Sequence, residues 1–338
     1  MNQIKVSTYT IQVRPKNRKR KEKKEGQTQK IEYVELGGIK DNSGFSYDFV
    51  NVFKDFINEF DSSFLGLKSG NKAMRLTDNL TFNSKEETIS GFFKAGFTGE
   101  QKEIYDKNKK IDKSIFVVKS EHVNCSNFYF KLWLPKSGGM GLLLIQGTSA
   151  ESAADLFKTL LHLFLTKSFK DNLVKISRFT STETIEEFKK KSKVQKIVLS
   201  KNSYPKDAAN DILGREILES NVKLKLIIEG DFKNDTILKF VNDNLGTSIG
   251  NQPKFFTSDT LEELHFGEED EYDTDISFKD IINSKSAVAK SKSGFEIKPF
   301  TYIEESEIER DDLTNVATEK SLVAAINKYF IKIKKEVL

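Results

Sequence analysis

The sequence predicts an α+β protein with a mostly antiparallel, curved sheet and core helices, followed by a smaller α/β part. Apolar residues recur at every second position through much of the first half, which is typical of strands. Two stretches of that half instead have apolar residues at helical spacing. After residue 170, strand-like and helix-like runs alternate. The length of 338 residues fits two domains, and we place them at 1–170 and 171–338.

The most apolar stretch runs from Asn127 to Phe169. Its first part alternates, with Phe128, Phe130, Leu132 and Leu134 on one face, and predicts a strand that ends at a turn over 135–139. Residues 140–146 are apolar at consecutive positions, which favours a central strand covered on both faces. Thr148 and Glu151 then match a T-x-x-E capping box, which predicts the start of a core helix.

The remaining elements follow from the same two periodicities. Strands are predicted over 4–13, 31–36, 88–97, 114–118, 194–199 and 222–228, and helices over 46–60, 182–191, 205–218, 235–244 and 319–337. Gly91 and Gly96 interrupt the third of these strands and indicate bulges or a bend. The phenylalanines of the 46–60 helix recur at helical spacing, which indicates core packing.

Composition limits the classes of protein. Cys125 is the single cysteine, so an intrachain disulfide or a multi-thiolate metal site is excluded. The chain opens without a charged-then-apolar leader, which favours a cytoplasmic location. The apolar density within 156–165 is interrupted by charge and is too short to cross a bilayer. We therefore expect no membrane insertion.

A basic block spans Arg14 to Lys24, where eight of eleven residues are Lys or Arg. Because it separates two predicted strands, we expect it on the projecting loop of a long hairpin. Clustered cations are neutralised well by phosphate backbones, although a solvated loop is the simpler interpretation. The predicted nucleic-acid contacts are Arg14, Lys16, Arg18, Lys19, Arg20, Lys21, Lys23 and Lys24, aided by Lys332 and Lys335 on the last helix.

An enzyme interpretation depends on three residues. Asp280 precedes Glu296 and Lys298, and the last two would share one face of a strand. Two carboxylates and a lysine can hold Mg²⁺ and activate water at a phosphodiester, as in the D…E-x-K signature of restriction-type nucleases. Catalysis would then use all three residues, with the metal on Asp280 and Glu296. Otherwise we expect no cofactor.

Two acidic segments, 261–277 and 304–312, suggest a third interpretation. Both lack the ligand spacing of a calcium loop, so we expect solvated linkers. Such segments also suit a scaffold or adaptor subunit that binds a basic partner. A homo-oligomer is a further alternative.

The stretches NFYFKLWLPKSGGMGLLLIQ (127–146) and KISRFTSTETIEEFKKKSKVQKIVLS (175–200) resemble bacterial anti-phage proteins of the KwaB and RexA kind. The two stretches together comprise 46 of the 338 residues and include no catalytic motif. It implies a bacterial nucleic-acid-binding protein, with DNA as the expected ligand, that acts in antiviral defence. Another protein of the same defence system is then an expected partner.

Overall fold

The structure is a computed structural model. It describes residues 3–16, 33–36, 49–60, 63–67, 71–99, 101–105, 114–169, 172–204, 206–207, 209, 222–243, 245, 273–280, 286–291 and 294–338. The chain forms two compact units: unit 1 comprises Met1–Phe179 and Thr301–Leu338, and unit 2 comprises Thr180–Phe300. Antiparallel sheets with packed helices confirm the α+β class.

The elements follow one another along the chain with these bounds. The strands are β1 (Ile4–Pro15), β2 (Leu65–Gly66), β3 (Lys72–Asn83), β4 (Thr88–Phe97), β5 (Lys102–Ile104), β6 (Phe116–Val118), β7 (Asn124–Trp133), β8 (Gly141–Thr148), β9 (Asn172–Phe179), β10 (Ser192–Tyr204), β11 (Val222–Glu229), β12 (Asp273–Asp280), β13 (Ser286–Lys290) and β14 (Thr301–Tyr302). The helices are α1 (Phe49–Asn58), α2 (Ala154–Ser168), α3 (Thr182–Lys191), α4 (Asn234–Asp243) and α5 (Glu319–Val337).

Unit 1 is built on one antiparallel sheet with the order β14-β1-β8-β7-β4-β3-β2, and β9 also pairs with β1. Helices α1 and α2 pack on one face, and α5 packs on the other. The sheet is therefore the middle of three layers. The hairpin β5–β6 forms a separate two-stranded ladder.

Strand β8 is buried on both faces, as the run of consecutive apolar residues predicts. Leu143 and Ile145 belong to the core beneath α1 and α2. Leu142 and Leu144 belong to the core beneath α5. The prediction of a central strand covered on both sides is confirmed.

Aromatic rings fill the core beneath α1 and α2. The ring centroid of Phe157 lies 5.0 Å from those of Phe93 and Phe130, and 6.1 Å from that of Phe56. All four side chains are almost completely buried. Among the helically spaced phenylalanines of 46–60, Phe53, Phe56 and Phe60 are core residues, as expected.

The start of α2 differs from the capping-box prediction. The helix begins at Ala154 after the N-cap residue Ala153, which offers no side-chain cap. Thr148 and Glu151 instead close a tight turn, in which the Glu151 N–H donates to Thr148 Oγ1 at 2.9 Å and the Thr148 N–H to the Glu151 carbonyl at 2.7 Å. The T-x-x-E pair stabilises the approach to the helix rather than its first turn.

Gly96 has a different role from the predicted bulge. It pairs with Cys125 in an unbroken ladder, and a Cβ there would lie 1.8 Å from the carbonyl oxygen of Asn124. Glycine is needed because β7 approaches so closely. The irregularity of this pairing lies between Leu76 and Leu80 of β3, and Leu80 pairs with Gly91, so the bulge predicted near Gly91 is present with its extra residues on the neighbouring strand.

Unit 2 holds an antiparallel sheet with the order β11-β10-β12-β13. Helices alternate with strands along the chain as predicted. Phe188 of α3 and Val241 of α4 join the core with Ile197, Ile276 and Phe278 of the sheet. In β11, the side chains alternate between partly buried and exposed, so its two faces differ.

The division into units differs from the predicted boundary after residue 170. Strand β9 belongs to unit 1 because it pairs with β1 from Thr8 to Pro15. The C-terminal segment also belongs to unit 1, since β14 pairs with β1 and α5 covers the sheet. Unit 2 is thus inserted between β9 and β14.

Candidate nucleic-acid interface

The basic block leaves unit 1 where β1 ends. Arg14 pairs with Leu173 of β9, Lys16 directly follows the strand, and both cationic side chains are exposed. The chain returns at Val34, whose N–H donates to the Val13 carbonyl at 2.9 Å. The two ends of segment 17–32 are therefore side by side. The predicted contacts at Arg18, Lys19, Arg20, Lys21, Lys23 and Lys24 lie outside the described residues.

The returning chain is tied to one end of the sheet, which we call the turn end: the turn 134–140, where β7 ends and β8 begins. The Leu36 N–H donates to the Gly138 carbonyl at 3.0 Å. Residues 33–36 make these individual hydrogen bonds and form no ladder, so the strand predicted over 31–36 is wrong for its described part.

Helix α5 directs its C-terminal lysines toward the same end. Lys334 Nζ lies 4.5 Å from the centroid of the Trp133 ring, and Trp133 is the last residue of β7. One turn earlier, Phe330 packs against Lys131, whose Nζ is 4.6 Å from the ring centroid. Lys332 and Lys335 are exposed in the last turns of the helix. The cationic end of α5 therefore lies at the turn end.

Lys131 fixes this arrangement from within the sheet. Its side chain is buried, and Nζ donates to Asn327 Oδ1 of α5 at 2.8 Å. Burial lowers the pKa of Lys131, the nearby Glu86 raises it, and Lys334 lowers it further. Glu86 Oε2 lies 3.9 Å from Nζ. A buried cation, an amide and an aromatic ring thus anchor α5 over β7.

Two further exposed cations border the turn end: Lys85 in the β3–β4 turn and Lys136 in the β7–β8 turn. The neighbouring carboxylate of Glu87 accepts the backbone N–H of Lys136 at 3.0 Å. The structure therefore brings together cations from the N-terminal strand, two turns and the C-terminal helix. Sequence analysis identified the two basic segments, but nothing in their spacing indicated that they share one end of a sheet.

The residues predicted for a nuclease site are not arranged as the sequence predicts. Glu296 and Lys298 pair with each other in an extended segment between β13 and β14, not in a strand of the sheet as predicted. Asp280 pairs with Ser192 at one end of β12, and its side chain lies outside the described residues. The turn that leads to Glu296 follows Lys290, which pairs with Asp275.

Asp280 lies five residue steps after Asp275, which is roughly 17 Å along a strand. The backbone of Asp280 is therefore at the other end of β12 from that turn. Within the described ranges, no group of three or more His, Cys, Asp or Glu side chains is arranged to hold a metal ion. The backbone of the described residues therefore does not bring Asp280 and Glu296, the two residues predicted to hold Mg²⁺, to one site.

The acidic segment 304–312 is an ordered loop rather than the predicted solvated linker. Glu305–Glu307 forms a 3₁₀ turn, and Arg310 binds the carboxylate of Glu305 through two N–H groups. Asp311 Oδ1 accepts N–H groups from Leu313 at 3.1 Å and Thr314 at 2.8 Å. Local hydrogen bonds that the charge pattern does not reveal hold this loop.

A second charged cluster, missed by sequence reasoning, lies where β8 ends and α2 begins. We call it the Arg178 cluster; it comprises Lys5, Tyr9, Lys72, Asp155, Lys158, Arg178 and Tyr302. In the sheet, Tyr9 is opposite Arg178 and Lys5 is opposite Tyr302. Its members are far apart in sequence, so no local motif could have revealed it.

Asp155 lies at the centre of this cluster. Its Oδ1 accepts the Tyr9 hydroxyl at 3.4 Å and lies 3.6 Å from Lys158 Nζ. Lys158 also lies over the Tyr9 ring, 5.6 Å from the centroid. Burial, followed by Asp155, raises the pKa of Tyr9 well above its usual range, so its hydroxyl stays protonated.

Comparison with known proteins gives no family. No known protein family matches the sequence, and no curated protein matches it. Among the described residues, helices are too short or too polar to cross a membrane.

Proposed function

We propose that this protein binds nucleic acid, with DNA as the expected ligand, through the turn end of unit 1. The observation that supports the proposal is the convergence of α5 and the root of the basic block. Arg14 on β1 and Lys16 directly after it begin the block, and Lys332 and Lys335 lie on the helix anchored over Trp133.

Several cations at one end of a sheet suit a phosphate backbone. Each phosphate that they neutralise releases condensed counterions, and this release drives binding without base contacts. Residues 33–36, which follow the block along the chain, are held at the turn end by the hydrogen bonds of Val34 and Leu36. The interface would therefore favour backbone contact over reading of sequence.

The resemblance to bacterial anti-phage proteins extends this proposal to antiviral defence in the bacterial cytoplasm. A second protein of the defence system would then be a further partner. Plating of phage on bacteria that express the chain tests this extension. We expect fewer plaques with the wild type, and plaque counts restored toward the empty-vector level when Arg18, Lys19, Arg20 and Lys21 are changed to Ser.

Binding itself is tested by fluorescence anisotropy with duplex DNA, single-stranded DNA and RNA over a salt series. The logarithm of affinity should fall linearly with the logarithm of salt, with a slope of about −0.9 per phosphate contacted on duplex DNA. Changing Arg18, Lys19, Arg20 and Lys21 to Ser should make the slope less negative by up to about 4. The variant Lys332→Gln/Lys335→Gln should make it less negative by up to about 2.

A matched control is Lys94→Gln/Lys320→Gln, which removes the same charge from exposed positions away from the turn end. It should leave the slope unchanged. Equal loss of affinity in Lys332→Gln/Lys335→Gln and in Lys94→Gln/Lys320→Gln would show that net charge alone determines binding of the probe. Probe degraded only with Mg²⁺, and intact with Glu296→Ala, would establish the nuclease instead. An unshifted, intact probe would overturn both and leave the adaptor hypothesis.

A further inference from the structure

The hairpin β5–β6 lies at the end of unit 1 opposite the turn end, and the proposed interface does not use it. Strands β4 and β7 pair along their length, and the last pair away from the turn end joins Phe97 to Asn124. Beyond it, the Gly99 N–H donates to the Ser120 carbonyl at 3.0 Å, and the ladder of β5 with β6 follows. The hairpin therefore continues the β4–β7 pairing past the end of the main sheet.

Large apolar side chains of this hairpin are exposed to water. The exposed fraction is 48% for Ile104, 53% for Tyr105, 62% for Ile115 and 54% for Phe116. Ile104 is directly opposite Phe116 in the ladder, so these two side chains lie on one face. A two-stranded ladder is at most marginally stable by itself, and adjoining exposed apolar side chains mark a contact surface.

The Phe116 ring lies flat against a second ring. His122 stacks on it, with 5.9 Å between the ring centroids and 16° between the ring planes. The Lys119 N–H donates to His122 Nδ1 at 3.1 Å, and the His122 N–H donates to the Lys119 carbonyl at 3.0 Å. These two hydrogen bonds hold the imidazole, which covers one side of the Phe116 ring. A ring that is positioned before binding loses little conformational entropy when a ligand stacks on its open side.

The charge of the hairpin favours an anionic ligand. Residues 102–119 contain six lysines and three acidic residues, which leaves a net charge of +3; of these, 106–113 lie outside the described part of the chain. At the root of the hairpin, Lys72 Nζ lies 5.0 Å from the centroid of the exposed Phe97 ring. Pairing with the hairpin of a second copy would bring like charges together. Cations beside aromatic rings instead match the phosphates and base faces of an unpaired nucleic-acid strand.

We propose that the β5–β6 hairpin binds single-stranded nucleic acid, with a base stacked on Phe116 and backbone phosphates neutralised by the lysines of the hairpin. This inference rests on the proposed function in one respect, namely that the ligand is a nucleic acid. It adds a contact with the bases, which the turn end does not make. Base faces are accessible in an unpaired strand and covered by neighbouring bases in a duplex. The hairpin therefore makes the protein prefer an unpaired strand.

Fluorescence anisotropy on the full chain with two probes of equal length tests the stacking contact. One probe is oligodeoxythymidine, and the other is the same backbone with abasic sites in place of the bases. The wild type should bind the thymidine strand more tightly. Phe116→Leu keeps an apolar side chain but removes the aromatic face, so it should weaken binding of the thymidine strand about fivefold or more and leave binding of the abasic strand unchanged.

Two further variants separate stacking from a structural role of Phe116. Phe116→Tyr keeps the aromatic face and should bind the thymidine strand as the wild type does. Ile115→Ala is the matched control, because it removes a similarly exposed apolar side chain from the same hairpin. It should change the affinity for neither probe.

A salt series separates the hairpin from the turn end. Stacking releases no counterions, so Phe116→Leu should leave the salt slope unchanged, whereas Lys332→Gln/Lys335→Gln should make it less negative. Weaker binding by Phe116→Leu, together with an unchanged slope in the double lysine variant, would overturn the interface at the turn end and support the hairpin site.

Three outcomes would overturn the hairpin proposal. The first is equal affinity of the wild type for the thymidine and abasic strands. The second is equal weakening by Phe116→Leu and Phe116→Tyr. The third is unchanged binding of the thymidine strand by Phe116→Leu, which would leave the exposed side chains to a protein partner while the slope of the double lysine variant still tests the turn end. Absence of binding to either probe would overturn both proposals.

Discussion

The central strand β8 of unit 1 and the edge strand β11 of unit 2 differ in how many of their faces are buried. Strand β8 reads GLLLIQGT and is buried along almost its whole length. Strand β11 reads VKLKLIIE and alternates between partly buried and exposed side chains. Helices cover both faces at β8, whereas described helices α3 and α4 pack with one apolar face of the unit 2 sheet.

The difference shows how the period of apolar residues reports the number of covered faces. A strand with consecutive apolar residues needs a layer on each side, and α5 supplies the second layer for β8. A strand with lysines at every second position, such as Lys223 and Lys225, needs only one. Removing apolar groups should therefore be costly at any β8 position and at alternate β11 positions.

The largest effect is expected for Phe157→Ala in α2. Its ring packs against three other buried phenylalanines, so the substitution leaves a large cavity and should lower the free energy of unfolding by about 3–5 kcal/mol. Urea titration followed by tryptophan fluorescence measures this in unit 1, because Trp133 is the single tryptophan. Phe157→Leu is the control and should lose less than half as much.

Next come Leu142→Ala and Leu143→Ala, on opposite faces of β8. Each should lower the free energy of unfolding by about 2–5 kcal/mol, since both side chains are fully buried. The same titration measures both variants. A normal loss for Leu143→Ala with less than about 1 kcal/mol for Leu142→Ala would contradict the packing of α5 on that face.

Lys131→Met should have an intermediate effect and sharpen the description of the α5 layer. It leaves Asn327 without its lysine donor, which should cost about 1–3 kcal/mol at pH 7. Burial lowers the pKa of Lys131 in the folded state. The folded wild type therefore loses the Lys131 proton at a lower pH than the unfolded chain does. Wild-type stability therefore rises relative to the variant between that lowered pKa and about 10.4.

Urea titrations at pH 7, 9 and 10.5 check the sign for this lysine. The difference between wild type and Lys131→Met should grow with pH, whereas Lys94→Met at an exposed site should show no such trend. A difference that shrinks with pH would mean that the folded state holds the Lys131 proton more tightly than the unfolded chain does.

The smallest effect is expected for Ile227→Thr in β11. This side chain is 49% exposed on the face opposite the unit 2 core, so the change should stay within about 0.5 kcal/mol. Far-UV circular dichroism during urea titration reports it, and the Trp133 fluorescence midpoint should not move. Leu226→Ala, at the neighbouring partly buried position, should cost more; equal costs would contradict the one-sided packing.

The sequence by itself determined the local elements with clear periodicity. Residues 88–97, 182–191 and 319–337 were predicted with the bounds that the structure has, because each carries a complete pattern of one period. Thr148 and Glu151 match a helix-capping motif but close a turn, since the same hydroxyl and backbone groups can serve either structure. Local chemistry alone could not distinguish the two.

Only the tertiary structure decided which distant segments meet. The pairing of β1 with β9 and β14 moves α5 into unit 1 and brings its lysines to the root of the basic block. The same pairing places Arg178 and Tyr302 opposite Tyr9 and Lys5, and the whole Arg178 cluster draws on five separate elements. Periodicity reports whether a face is buried but not which partner buries it, because apolar surfaces attract one another without direction. The sequence therefore revealed the charged segments, and the fold decided which of them act together.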